Sequence, residues 1–97
     1  MLTSQHYTAI LTAAAQRHEI PVDPVSLLDT RKSFDDHCLR ARINAVVCFH
    51  LHQNHKEPLY RIARAYSLKW ETIYSRVRTG RKLVKKNPWK NTYLRLP

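Results

Sequence analysis

Apolar residues recur at helical spacing in two neighbouring segments between residues 57 and 85. The first segment places its apolar side chains on one helical face: Leu59, Ile62, Ala63 and Tyr66. The second segment follows a short turn at residues 67–69, and its inward candidates are Trp70, Ile73, Val77 and Leu83 or Val84. The pattern predicts a helix-turn-helix. Glu57 and Pro58 precede it, and both are residue types that the first turn of a helix tolerates.

Three positions in this stretch fit the close packing that a helix-turn-helix needs. Ala63 is small where the two helices must approach each other, and Ser67 occupies the turn position that usually carries glycine. Ile73 is expected to fill the angle between the helices. The opposite face of the second helix carries residue types that reach base edges and phosphates: Lys69, Glu71, Thr72, Tyr74, Ser75, Arg76 and Arg78. The alternative is an ordinary surface hairpin whose charges are only solvated.

Helical patterns also precede and follow this stretch. Ser4 can cap a helix to about His18, and residues 23–28 predict a short helix that opens with an Asp-Pro pair. A long helix ending near Gln53 is apolar almost all round, which predicts a central, buried position. Pro88 is expected to end the second helix of the hairpin. The tail should then pack back on the domain through Trp89, Tyr93 or Leu94.

The composition supports helices throughout the chain. Only one of the 97 residues is glycine, and no internal repeat is present. The sequence therefore predicts an all-α fold, a compact helical bundle of about five helices containing a helix-turn-helix, in one domain over residues 1–97.

Charge is distributed unevenly along the chain. The net charge is +10, and residues 31–97 carry sixteen Lys and Arg against four Asp and Glu. Residues 1–30 hold one basic residue against three acidic ones. This separation is typical of a protein that binds a polyanion with one face. The basic residues alternate with Thr, Ser and Tyr and do not lie opposite a broad apolar face. Nucleic acid is therefore a better candidate for the polyanion than a membrane surface.

Several other classes of protein are not expected. No run of about 18 apolar residues could span a membrane, and the N-terminus lacks the pattern of a signal peptide. Cys38 and Cys48 would lie about 15 Å apart in one helix, too far for a disulfide. We therefore expect reduced thiols in a cytoplasmic, nucleoid-associated protein.

The sequence predicts neither a metal site nor a catalytic site. Cys48, His52 and His55 share a helix face or its end, but neither CxxC nor HExxH is present, so no metal or other cofactor is expected. His37 and Cys38 are adjacent and would point about 100° apart on a helix, which does not form a nucleophile–base pair. The chain is not expected to be an enzyme.

The order of elements resembles the C-terminal DNA-binding domain of the bacterial replication initiator DnaA, in the Trp-repressor-like helix-turn-helix group. That family has a short helix ending in Leu-Leu before a basic loop, and residues 27–32 here read LLDTRK. Its long apolar helix begins Arg-Pro-Arg, and this chain has Arg40-Ala41-Arg42. Its Leu-x-x-Ile-Gly scaffold helix corresponds to residues 59–63, LYRIA.

The resemblance implies a domain organisation and a way of meeting DNA. Residues 22–87 would form the core similar to the DnaA domain, with an accessory helix in residues 1–20 and a tail at 88–97. Arg31 would enter the minor groove, and the helix from Trp70 would enter the major groove. Of the family's recognition segment, Gly-Gly-Arg-Asp-His-Thr-Thr-Val, only Thr72 is retained here. A different DNA sequence preference is therefore expected.

These observations predict a sequence-specific protein that binds double-stranded DNA, as a transcriptional regulator or an accessory factor of replication or of a bacterial or phage mobile element. The DNA-binding residues are expected to be Arg31, Lys32, Arg40, Arg42, Lys69, Glu71, Thr72, Tyr74, Ser75, Arg76, Arg78, Arg81 and Lys82. The resemblance favours a monomer, whereas many isolated helix-turn-helix regulators form homodimers. The alternatives are a module that binds a host or partner protein through its basic face, and an RNA-binding protein.

Overall fold

The computed structural model describes residues 3–18 and 39–97. This part of the chain forms a compact bundle of five helices without a strand. The helices are α1 (Ser4–Arg17), α2 (Leu39–Gln53), α3 (Leu59–Tyr66), α4 (Trp70–Leu83) and α5 (Trp89–Leu94). The prediction of an all-α bundle is confirmed. The short helix predicted at residues 23–28, and the residues before Leu39, lie outside the described ranges.

Helix α1 begins one residue earlier than the predicted cap implies. Thr3 is the N-cap, its hydroxyl accepts a hydrogen bond from the His6 main-chain N–H, and the Thr3 main-chain N–H donates to His6 Nδ1. This reciprocal pair satisfies two donors that a helix start leaves free. The buried stripe of α1 agrees with the sequence pattern and consists of Tyr7, Ile10, Leu11, Ala14 and Ala15.

Helix α2 is the central element of the bundle, as its apolar circumference predicts. All its residues from Ile43 to Leu51 are buried. It packs against each of the other four described helices, most extensively against α4. The position of α4 is therefore set mainly by α2.

Gly80 allows α2 and α4 to come into backbone contact. A Cβ atom placed on Gly80 would overlap the main-chain oxygen of Ala45 and lie 2.7 Å from the Cβ of Phe49. No other residue type fits this position without moving one of the two helices.

The turn between α3 and α4 has a left-handed residue at the position that usually carries glycine. Ser67 adopts the left-handed conformation, with φ 56° and ψ 43°, and the Leu68 N–H bonds the Ala63 carbonyl at 2.9 Å. Bonding of this kind satisfies carbonyls at the end of a helix. Ala63 and Ile73 are both buried, as expected.

Two expectations about α4 are wrong. The helix ends at Leu83, five residues before Pro88, because the hydrogen bonds of Lys85 and Lys86 reach back only three residues. Trp70 was expected to face inward but is 56% exposed. It is the first residue of α4, and a helical side chain leans toward the N-terminus, here over the turn 67–69.

The C-terminal segment packs back on the bundle. Trp89 and Leu96 are buried and Tyr93 is half-buried, whereas Leu94 is exposed. The Trp89 ring stacks on the ring of His18 with centroids 4.4 Å apart, and His18 Nε2 lies 2.8 Å from the Thr92 hydroxyl. These contacts connect α5 to the end of α1.

Candidate nucleic-acid interface

The outer face of α4 and the residue before it form one exposed polar surface. We call this surface the α4 face; its members were all predicted from the sequence and are Lys69, Glu71, Thr72, Tyr74, Ser75, Arg78, Arg81 and Lys82. Four of these eight side chains are cationic and one is acidic. Hydroxyls of Thr72, Tyr74 and Ser75 lie among the charges. Such a mixture can donate hydrogen bonds to phosphate oxygens and exchange hydrogen bonds with base edges.

Arg76 does not belong to the α4 face, and its predicted exposure is wrong. The side chain is 1% exposed, and its guanidinium carbon lies 5.8 Å from the centre of the Tyr66 ring. Arg76 comes three residues after Ile73 and one before Val77, so it falls within the inward stripe of α4. An arginine in this place cannot reach a ligand on the outer face of the helix.

Arg76 lies beside two other buried polar side chains, Cys48 of α2 and Tyr66 of α3. Burial raises the pKa of the Cys48 thiol to about 11, and the nearby positive charge of Arg76 opposes this rise. Burial also raises the pKa of Tyr66, with a further contribution from Cys48. Both groups are therefore neutral near pH 7, and Cys48 is a poor nucleophile.

Two exposed aromatic side chains and an arginine follow one another on the outer side of α4. Trp70, Tyr74 and Arg78 follow at intervals of four residues, and the Arg78 guanidinium carbon lies 5.9 Å from the centre of the Tyr74 ring. Tyr74 is also exposed. This spacing places the three side chains on one side of the helix, where they can contact a ligand together.

A shallow cleft lies further along α4. Its volume is about 280 Å³, and it is lined by Ser75, Arg78, Thr79 and Lys82. Two cations and two hydroxyls around one depression are suited to a phosphate or another small oxyanion. Thr79 was missed by the sequence interpretation. Its signal is the helical spacing, since it comes four residues after Ser75 and three before Lys82.

The remaining predicted DNA-binding residues precede α3. Arg31 and Lys32 lie outside the described ranges. Arg40 belongs to the first turn of α2, but its side chain is not among those described, and Arg42 is half-buried on the same helix. The described part of the interface is therefore the α4 face.

A buried polar cluster holds α3 against the bundle. Glu57 is buried, accepts a hydrogen bond from the Tyr7 hydroxyl at 3.1 Å and pairs with Arg61 Nε at 3.0 Å. Burial and the Glu57 carboxylate raise the pKa of Tyr7 to about 12. The cluster links α1 to the start of α3, and residues 67–69 then connect α3 to α4.

Within residues 3–18 and 39–97 no helix is long and apolar enough to cross a membrane. Searches with this chain against family models, curated proteins and solved structures found no match.

Proposed function

We propose that this protein binds double-stranded DNA in a sequence-specific manner, with α3 and α4 acting as a helix-turn-helix. The observation that carries the proposal is the α4 face, which stays exposed along a helix whose other side is fixed to the core and which gathers three cations, Arg78, Arg81 and Lys82, in its second half. A helix of this kind fits the major groove of B-DNA, which is about 12 Å wide.

The α4 face offers separate groups for affinity and for sequence readout. Arg81 and Lys82 would contact phosphates, and these contacts would supply most of the affinity. Thr72 and Ser75 would exchange hydrogen bonds with base edges, and Glu71 would accept from cytosine. Since Arg76 is buried, the arginine that pairs with guanine is Arg78 in this proposal.

The cellular role would be transcriptional regulation or assistance to replication or to a mobile element. The resemblance of residues 22–87 to the DnaA C-terminal domain supports this role. It also supports a second contact, in which Arg31 would enter the minor groove and Arg31 and Lys32 would hold a flanking groove.

Selection from a pool of random duplexes would test the proposal most directly. An enriched motif is expected, and a palindromic motif would indicate a homodimer because half-sites mirror protein symmetry. Arg78→Ala should then weaken binding to the enriched site more than to random duplex. Arg95→Ala removes an exposed arginine on the C-terminal tail and serves as the matched control. No enrichment, or equal losses with both variants, would contradict the assignment of the α4 face.

A second candidate function is binding to an acidic surface of another protein. Tyr60 and Trp70 are more than half exposed, and aromatic residues among arginines are typical of protein interfaces. Trp70→Ala distinguishes the two functions. In the DNA proposal it leaves most of the salt-dependent affinity intact, whereas a protein interface centred on Trp70 would lose a large part of its binding energy.

A further inference from the structure

Two histidines and a main-chain oxygen meet at the end of α2. His50 belongs to the last turn of α2, His55 to the connection that follows, and Pro97 lies beyond α5. The Nε2 atoms of the two histidines are 3.2 Å apart, and each lies 2.9 Å from the Pro97 main-chain oxygen. The three atoms form a nearly equilateral triangle.

Hydrogen bonds alone do not account well for this triangle. If both Nε2 atoms carry protons, both N–H groups donate to the Pro97 oxygen. The two nitrogens then subtend an angle of about 67° at this oxygen, which is smaller than the angle between its two lone pairs, and the two N–H groups crowd each other. If either nitrogen is bare, its lone pair faces the oxygen lone pairs at 2.9 Å. Each assignment leaves one unfavourable contact.

A single metal ion satisfies all three atoms. With bonds of about 2.0–2.1 Å, neighbouring ligands lie about 2.9 Å apart at right angles and about 3.3 Å apart in tetrahedral coordination. The three observed distances between the donor atoms, 2.9, 2.9 and 3.2 Å, agree with these values. Two imidazoles that direct Nε2 at one such ion have ring centroids about 5 Å apart, and the rings of His50 and His55 are 4.9 Å apart.

The surroundings hold the donors in place. His50 is 2% exposed, and its Nδ1 lies 3.0 Å from the Asn54 side-chain amide, which in turn accepts a hydrogen bond from the Tyr93 hydroxyl at 2.7 Å. A half-turn of the Asn54 amide presents its oxygen to His50 Nδ1–H, the usual support for a metal-bound histidine. The Asn54 NH2 group then donates to the Tyr93 hydroxyl, so that the direction of this second hydrogen bond reverses. Leu96 is buried and fixes the neighbouring Pro97.

Access from solvent also suits metal binding. His55 is only partly buried and Pro97 is exposed, so an ion can reach the triangle from solvent.

We propose that His50, His55 and the Pro97 main-chain oxygen bind one divalent transition-metal ion of the zinc class. Imidazole suits this class, and solvent would complete the coordination. Among the described residues no group of three or more His, Cys, Asp or Glu side chains could hold a metal ion, so the main-chain oxygen is an essential third donor. This site differs from the group of Cys48, His52 and His55 in the sequence. Cys48 is buried beside Arg76, and His52 Nδ1 bonds the Glu57 carbonyl. The proposal does not depend on nucleic-acid binding.

Zinc titration of chelator-treated protein tests the site. One zinc per chain is expected, together with a rise in Tm of about 10 °C when free zinc is about a hundredfold above Kd. His55→Ala should weaken zinc binding about tenfold or more. His52→Ala removes a nearby imidazole outside the triangle and should bind zinc as the unchanged protein does.

Nitrogen-15 NMR of the histidine side chains provides a measurement that needs no variant. On adding zinc, the Nε2 signals of His50 and His55 should shift together and saturate at one equivalent, while those of His52 stay in place. If neither Nε2 signal shifts, or if His55→Ala and His52→Ala lose zinc equally, the triangle is a hydrogen-bonded cluster and the proposal is wrong.

Discussion

The guanidinium carbon of Arg76 lies 5.8 Å from the centre of the Tyr66 ring, so that a cation of α4 packs on an aromatic ring of α3. Both side chains are buried, and the Cys48 thiol of α2 adjoins them. A desolvated contact between a cation and a ring contributes about 2 kcal/mol. Three helices therefore meet at one arginine, whose role is to hold α4 in place.

Replacing Arg76 should act on stability. Arg76→Ala leaves a cavity and removes the contact with Tyr66, and is expected to lower the free energy of unfolding by roughly 2–4 kcal/mol. Arg78→Ala removes an exposed arginine two residues away and should stay within about 0.5 kcal/mol. Urea titration followed by circular dichroism measures both. Equal, small effects would show that the buried arginine contributes nothing to the fold.

Enlarging Gly80 should force α2 and α4 apart. The new methyl group of Gly80→Ala would meet the Ala45 carbonyl and the Phe49 side chain, and the strain should outweigh the helix propensity gained, with a net loss of about 1–3 kcal/mol. Ser75→Ala is the control, since it lies on the exposed face of the same helix. Thermal unfolding would decide between strain and a gain in stability from propensity.

Ser67 should respond to substitution according to its positive φ of 56°. Ser67→Gly relieves the left-handed strain and is expected to stabilise the protein by up to about 1 kcal/mol, whereas Ser67→Val should destabilise it by about 1–2 kcal/mol. The reverse order in chemical denaturation would mean that the turn is not left-handed in solution.

Under the proposed function, the salt dependence of duplex binding should identify the phosphate contacts. Lys82 lines the cleft on α4, and Lys82→Ala is expected to reduce the slope of log affinity against log salt by about 0.9 and to weaken specific and random duplexes alike. Lys90→Ala removes an exposed lysine of α5 and should leave the slope unchanged. Fluorescence anisotropy over a salt series gives both slopes. An unchanged slope for Lys82→Ala would exclude this contact.

Stability should fall in mild acid because of His18. Burial lowers the pKa of His18, and the charge of Arg17 adds to this effect. As the pH falls below about 6.5, the unfolded chain binds a proton at this residue before the folded protein does, so stability present at higher pH is lost. His18→Phe keeps a ring on Trp89 without a titrating group, and should reduce the difference in unfolding free energy between about pH 7.5 and about pH 5.

The control for the pH experiment is Thr92→Val. This variant removes the hydroxyl that contacts His18 but keeps the titrating ring in its half-buried place. The pH dependence should therefore survive in Thr92→Val. A full pH dependence in His18→Phe would assign the effect to other groups.

Helical spacing predicted much of the bundle, and its failures have physical causes. Ala63, Ser67 and Ile73 were placed correctly because size, turn conformation and burial each follow from position in a helical hairpin. Arg76 was misplaced because its charge suggested solvent. Residues 73, 76, 77 and 80 nevertheless follow the spacing of a helical stripe that faces the core, and position 80 is the only glycine in the sequence.

Contacts between distant segments could not be predicted in the same way. His50 and Pro97 are 47 residues apart, and no local pattern indicates that their polar atoms meet. The exposed members of the α4 face were predictable because they lie on a single helix, where spacing alone determines which side chains share a side.

The backbone contact at Gly80 determines how α4 can respond to anything that binds it. Because the main chains of α2 and α4 touch there, α4 can neither roll nor slide without breaking the centre of the bundle. The partner must therefore do most of the adapting. For a duplex this means bending or changing groove width to match a fixed template, so flexible base steps that no side chain touches would be favoured.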